Sequence, residues 1–262
     1  MISFKIKDTI YSVNEKRHRI EDILLVGSLI NGDYEEKSDI DFYIVIDNCS
    51  PRVRQQTFER IAQELNVPKY WITFFTKDEF QQECNQGRQN YYFWYVRLKH
   101  KKIYSRNNFA HQALQRMPLF SDVDGLLQMK RNHIRSIMSE VRANRYSDEE
   151  AINQLARVIR DTCINICFLQ GYLEFGKYKP VELCYQFKTI KMPFSYANYR
   201  HLYRIKRAYK FDKGNFALSG DVAAFIETWY VRYKKLSQEA LRLCEDVQTK
   251  DFKNPLQSFI SS

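Results

Sequence analysis

Glycine and proline are scarce in this chain, with 8 and 6 among 262 residues. That excludes a collagen-like, low-complexity or loop-dominated protein. No stretch approaches the run of about 18 apolar residues that a membrane span needs, so no membrane segment is expected. The first residues, MISFKIKDTIYSV, lack the apolar run of a signal peptide. The six cysteines (Cys49, Cys84, Cys163, Cys167, Cys184, Cys244) include no C-x-x-C pair, and histidine is too sparse near them for a zinc pattern. Free thiols suit a reducing cytoplasm, the expected location. The five histidines show no metal spacing and no nucleophilic context. Acidic residues are fewer than basic ones, 31 against 41. The excess is uneven: residues 1–108 carry +2 and residues 109–262 carry +8. A basic second half suits a polyanionic partner such as a nucleoside triphosphate or RNA, and equally suits plain solubility.

Hydrophobic residues make up 44% of the chain and aromatics 15%, enough for a sizeable core. The first half alternates helix and strand signals. Residues 3–19 read as a helix, 22–27 (DILLVG) as a buried strand, and 40–46 (IDFYIVI) as a second strand rich in β-branched and aromatic residues. Pro51 opens a helix, 70–76 is a third strand, 77–96 is helical and 101–106 a last short strand. The pattern predicts a small α/β (α+β) unit with a mixed sheet over residues 1–108. Residues 109–262 carry apolar positions at helical spacing in several segments, over 122–143, 148–170, 180–190, 196–210 and 221–246. They predict a C-terminal α-helical bundle. Cys163 and Cys167, four apart in the second of these helices, are expected to face the core.

The informative segment is LLVGSLINGDYEEKSDIDFYIVID, residues 24–47. Gly27 and Ser28 end one strand; ten residues later Asp39 and Asp41 open the next. Carboxylates two apart at a strand share a face. Such a pair can hold Mg²⁺, a hard ion that takes oxygen ligands. Two such ions can clamp the attacking and leaving oxygens of an in-line displacement at phosphorus. Gly27 admits a triphosphate close to the backbone. Ser28 offers a hydroxyl and N–H groups to phosphate oxygens. Ile40 and Phe42 anchor the strand that carries the carboxylates. Taken alone, D-I-D is common at solvated strand edges; the combination with the preceding strand and Gly-Ser is what makes it specific.

The segment resembles the nucleotidyltransferase signature of the DNA polymerase β-like superfamily: hydrophobic-Gly-[Gly/Ser], nine to thirteen residues, then [Asp/Glu]-hydrophobic-[Asp/Glu]-hydrophobic. Val26, Gly27, Ser28, Asp39, Ile40, Asp41 and Phe42 fill its places. SDIDFYIVI is most similar to bacterial lincosamide and aminoglycoside nucleotidyltransferases, which also follow a small α/β domain with a helical bundle. The resemblance implies Mg²⁺ (two ions) on Asp39 and Asp41, a nucleoside triphosphate substrate, transfer of its nucleotidyl group to a hydroxyl of a small acceptor, and release of pyrophosphate. It implies a site in the cleft between the two halves, with Gly27, Ser28, Lys37, Ser38 and Arg88 as the nucleotide-binding candidates. The superfamily places a third acid on the next strand. Here that strand, YWITFFT, offers Trp71, Ile72 or Thr73 instead. Asp78 and Glu79 follow it, but they read as the start of a helix capped by Thr76. In some antibiotic nucleotidyltransferases the base is a Glu of the helical half. Glu140, Glu149, Glu150 and Glu174 are candidates, with Glu140 taken as the catalytic one; a surface glutamate is the plain alternative.

Two other readings stay open. A basic bundle suits a nucleotidyltransferase that modifies tRNA or a protein in a toxin–antitoxin or defence system. The absent third acid suits a catalytically degenerate nucleotide-binding module. A homodimer is left open as well. The segment YANYRHLYRIKRAYKFDK, residues 196–213, interleaves basic and tyrosine side chains. It fits either a nucleic-acid surface or a helix packing its tyrosines with Arg and Lys outward. NYYFWYV, residues 90–96, lines a pocket or seals the seam between the halves, the seam being favoured.

Overall fold

The structure is a computed structural model describing residues 1–35, 38–211, 222–248 and 252–259. The chain divides into two compact units, Met1–Phe120 and Ser121–Ser262.

The first unit opens with a β-hairpin of β1 (Ile2–Ile6) and β2 (Thr9–Val13). The expected helix over 3–19 is therefore corrected. The apolar residues of ISFKI recur every second position, and burial follows that alternation, the period of a strand and not of a helix. Lys7, with φ 52°, makes the turn. Phe4 and Tyr11 stack at 5.8 Å across the hairpin, and both meet the edge of Phe42. The hairpin is thus a lid on the main sheet, stabilised by tertiary contacts that local sequence does not display.

The main sheet has four strands: β3 (Ile20–Val26), β4 (Asp41–Ile46), β5 (Ile72–Thr76) and β6 (Lys101–Ser105), in the order β5-β4-β3-β6. β3 is antiparallel to both neighbours, while β4 and β5 run parallel, so the sheet is mixed as expected. Parallel neighbours need a crossover, and helix α2 (Pro51–Leu65) supplies it. Ser50 caps α2, Pro51 occupies its first turn, and Asn66 closes it in the left-handed conformation. One face of the sheet packs Ile23, Leu25, Phe42, Ile44, Ile72 and Phe74 against α2 and the hairpin. On the other face, Tyr43 and Phe75 meet Phe80 and Phe93 in tilted and edge-to-face pairs. These come from α3 (Lys77–Asn85) and α4 (Tyr91–Leu98). The single helix expected over 77–96 is thus two, broken around Gly87 and restarted by the Asn90 cap.

The first unit continues past residue 108, where the boundary was expected. Helix α5 (Phe109–Gln115) docks on the sheet: the Ala110 N–H donates to buried Asp22 at 2.9 Å. Beyond it, Phe120 stacks on Tyr91 at 4.6 Å.

The second unit is helical: α6 (Val123–Arg142), α7 (Asp148–Leu169), α8 (Lys179–Cys184), α9 (Tyr196–Phe211) and α10 (Val222–Gln248). α7 is its hub, packed against α6, α8, α9 and α10. Ser147 accepts the Glu150 N–H at its start, and Cys163 and Cys167 are fully buried in it. α8 ends at Cys184, short of the expected residue 190. On α9, Tyr199, Leu202, Tyr203 and Ile205 are buried and Arg200 and Arg204 exposed, so the basic-aromatic segment uses its tyrosines for packing. Arg207, Lys210 and Lys213 belonged to the same pattern; the side chain of Lys210 and residue Lys213 lie outside what the structure describes. No helix among the described residues is long and apolar enough to cross a membrane.

Candidate active site

β3 is buried along its whole length and delivers the chain to Gly27. Gly27 has φ +82°, a backbone state that costs residues with a Cβ about 1–2 kcal/mol. It is also pressed against Asp41: a Cβ at this position would lie 1.9 Å from the Asp41 Oδ2 atom. Two independent constraints therefore require glycine here. Ser28 begins α1 (Ser28–Asn31), a single turn in which the Ile30 and Asn31 N–H groups bond to the Gly27 carbonyl at 3.1 Å. Gly32, also left-handed at φ +80°, ends it.

The turn is held by a residue the motif does not contain. The Gly27 N–H donates to the Tyr95 hydroxyl at 2.7 Å; that hydroxyl donates to the Gly27 carbonyl at 3.2 Å and accepts from the Asn31 amide at 3.1 Å. Tyr95, from α4, is 3% exposed. Burial, then the nearby Tyr92, pushes its hydroxyl well above the ordinary tyrosine range, so it stays a neutral donor and acceptor. The Gly27 N–H is consequently spent inside the protein, and Gly27 contributes room and curvature. The aromatic run NYYFWYV hinted at a packing role; nothing local pointed from Tyr95 to a glycine 68 residues away.

Asp41 heads β4 as the ladder partner of Val26, and Asp39 lies two residues before it. Ile40 and Phe42 both lie in the core, which anchors the segment. Asp39 Oδ1 accepts the Trp71 indole N–H at 3.1 Å. Beside Asp41, the Tyr43 hydroxyl is pushed far above its usual range by burial first, then by Tyr92 and the Asp41 charge, while Thr73 bonds to it. The parallel register pairs Phe42 with Ile72 and Tyr43 with Thr73, so the position alongside Asp41 falls to Trp71. No acid stands on β5. Among the described residues no cluster of three or more His, Cys, Asp or Glu side chains could hold a metal. Two carboxylates do fit Mg²⁺, which commonly takes one or two carboxylates and completes its shell with phosphate oxygens and water.

The remaining candidates fall as follows. Ser38 closes a small turn, its hydroxyl accepting the Glu35 N–H at 2.9 Å. Lys37 lies outside the described residues. Arg88 is exposed in the turn between α3 and α4. Glu79 completes a capping box with Thr76 and takes the Arg54 guanidinium at 2.9 Å, so its carboxylate serves the helix. Glu140 lies on α6 in the second unit, gripped by both arms of Arg145 at 2.6 and 2.8 Å. Those hydrogen bonds hold its carboxyl below the usual range, the opposite of the upward shift that suits a general base.

A strand ending in a tight glycine turn is laddered to a strand headed by Asp41, with Asp39 just before it. By comparison, residues 7–105, within the first unit, match the model of the nucleotidyltransferase domain. The first unit is a nucleotidyltransferase domain, and the protein is an enzyme of that class. A search of curated proteins finds no match. Among solved structures, the spectinomycin adenyltransferase AAD(9) from Enterococcus faecialis, solved with ATP and spectinomycin, is 13% identical. That alignment covers 84% of this chain and 95% of that one, with a TM-score of 0.47. A toxin–antitoxin structure with AMP-PNP is 15% identical over 48% of this chain and 91% of that one, with a TM-score of 0.26.

Proposed function

We propose that this protein transfers a nucleotidyl group from a nucleoside triphosphate to a hydroxyl of a small acceptor of the aminoglycoside or lincosamide kind. The observation that carries the reading is the contact between Gly27 and the Asp41 carboxylate, which sets the phosphate-facing turn directly beside the paired acids. Asp39 and Asp41 would hold Mg²⁺, which supplies charge neutralisation on the triphosphate. Ser28 offers its hydroxyl and N–H to phosphate oxygens, with Ser38, Lys37 and Arg88 as further nucleotide contacts. The acceptor oxygen attacks the α-phosphorus, the bond from that phosphorus to the bridging oxygen breaks, and pyrophosphate leaves. The acceptor proton passes to solvent water, the Glu140 carboxylate being engaged by Arg145. The chain's contribution is mainly positioning and charge. Free thiols at all six cysteines support a cytoplasmic setting.

One observation favours a second reading. A tryptophan in the place of the third acid suits a module that binds nucleotide without turning it over. The test is transfer of label from each α-labelled nucleoside triphosphate with Mg²⁺. The acceptors are a panel of aminoglycosides and lincosamides, total tRNA and the protein itself. Label moved by the native chain and not by Asp39→Asn/Asp41→Asn is expected, on a small acceptor. Label on tRNA would replace that acceptor by RNA. Nucleotide binding with no transfer to any acceptor would overturn the enzymatic reading in favour of the binding module.

A further inference from the structure

Trp71 stands half-buried immediately before β5. It ends the short 3₁₀ turn Lys69–Trp71, its own N–H bonded to the Pro68 carbonyl at 2.9 Å. Its ring packs against the core beneath the sheet. The parallel register places it one step before the Phe42–Ile72 pair, alongside Asp41. From there its indole N–H reaches Asp39 Oδ1 at 3.1 Å. An indole N–H is only a donor, so it cannot replace an acid as a metal ligand. It can fix the rotation of a carboxylate that is one.

We propose that Trp71 is the positioning residue for Asp39. Its N–H takes one lone pair of Oδ1 and aims the other oxygen toward the divalent ion. Asp39 lies before β4, and the Trp71 bond ties its carboxylate to the segment that enters β5. The role is that of an outer partner to a ligand, and loss of such partners typically weakens metal affinity by about 10–100-fold. The inference rests on the proposed nucleotidyl-transfer site.

The test is titration of the full chain with Mn²⁺, followed by electron paramagnetic resonance, in the presence of the α,β-methylene analogues of ATP and GTP. Trp71→Phe keeps most of the packing and loses the N–H; it should weaken Mn²⁺ about tenfold. Trp71→His keeps a ring N–H and should return to within about threefold of the native chain. In an Asp39→Asn background, Trp71→Phe should have under about twofold effect, because the group it orients has gone. Native affinity in Trp71→Phe would overturn the role, and so would an equal loss in both backgrounds, which marks a purely structural residue. A native chain that takes up no Mn²⁺ with either analogue would overturn the nucleotidyl-transfer reading and the Trp71 role with it.

Discussion

Replacing Gly27 by alanine separates the cost of backbone shape from the cost of carboxylate position. The backbone at φ +82° should cost about 1–2 kcal/mol once a Cβ is present. That lowers the melting temperature of the first unit by a few degrees. The second effect is local. The new Cβ would lie 1.9 Å from Asp41 Oδ2, where ordinary contact begins at 3.4 Å, so the oxygen must retreat by about 1.5 Å, the difference of those distances. A carboxylate at the tip of a short side chain can swing away at little cost to stability. It cannot do so and still meet the same ion, and a misplacement of about 1 Å can cost about 100-fold in rate. The expected result is a folded protein, slightly less stable, with nucleotidyl transfer reduced about 100-fold or more. Thermal denaturation by circular dichroism and single-turnover transfer of an α-labelled triphosphate read the two effects. In an Asp41→Asn background, Gly27→Ala should keep its stability cost and add almost no further loss of transfer. Transfer within about threefold of native, with the same modest loss of stability, would refute the argument that Gly27 exists to make room for Asp41.

Tyr95→Phe removes the hydroxyl that satisfies the Gly27 N–H, the Gly27 carbonyl and Asn31. Leaving a buried donor unpaired should cost about 1–3 kcal/mol and raise the KM for the triphosphate, measurable by chemical denaturation and steady-state transfer. Glu79→Gln should weaken the α3 cap by about 1 kcal/mol and leave the transfer rate near native, since the carboxylate serves Thr76 and Arg54; a large fall in rate would return Glu79 to the active site. Alkaline pH should unfold the protein. Burial, followed by neighbouring tyrosine, raises the Tyr43 and Tyr95 hydroxyls above their usual value of 10.0. Above pH 10 the unfolded chain gives up these protons first, so stability is complete below that pH and falls as pH rises beyond it. Tyrosinate absorbance rising together with loss of ellipticity checks this; full ionisation with the fold intact would refute it.

The parts of the site legible in the sequence are those that chemistry forces to be near one another in the chain. Gly27, Ser28, Asp39 and Asp41 lie within fifteen residues, and β3 and β4 declare themselves by apolar and β-branched content. The Thr76–Glu79 cap was legible for the same reason. What stayed hidden depends on contacts between distant segments. Tyr95 reads as one more core aromatic until its hydroxyl is seen on Gly27, and Trp71 reads as a missing acid until its N–H is seen on Asp39. The hairpin does not show in the sequence because polar residues between ISFKI and TIYSV blur a period of two. The first unit runs past residue 108 because α5 is tied down by Asp22, 88 residues before Ala110.

Val26 and Asp41 are partners on one rung of the β3–β4 ladder. The glycine turn and the strand that Asp41 heads therefore tilt, shift and fray as one piece. On the proposed function, a substitution that moves the turn should disturb the acids as well, which leaves little freedom to adjust this rung. Variation should collect at side chains near it that the ladder does not constrain, such as Tyr92, which is 51% exposed on α4 and touches Tyr43 and Tyr95 without bearing on the backbone that joins them.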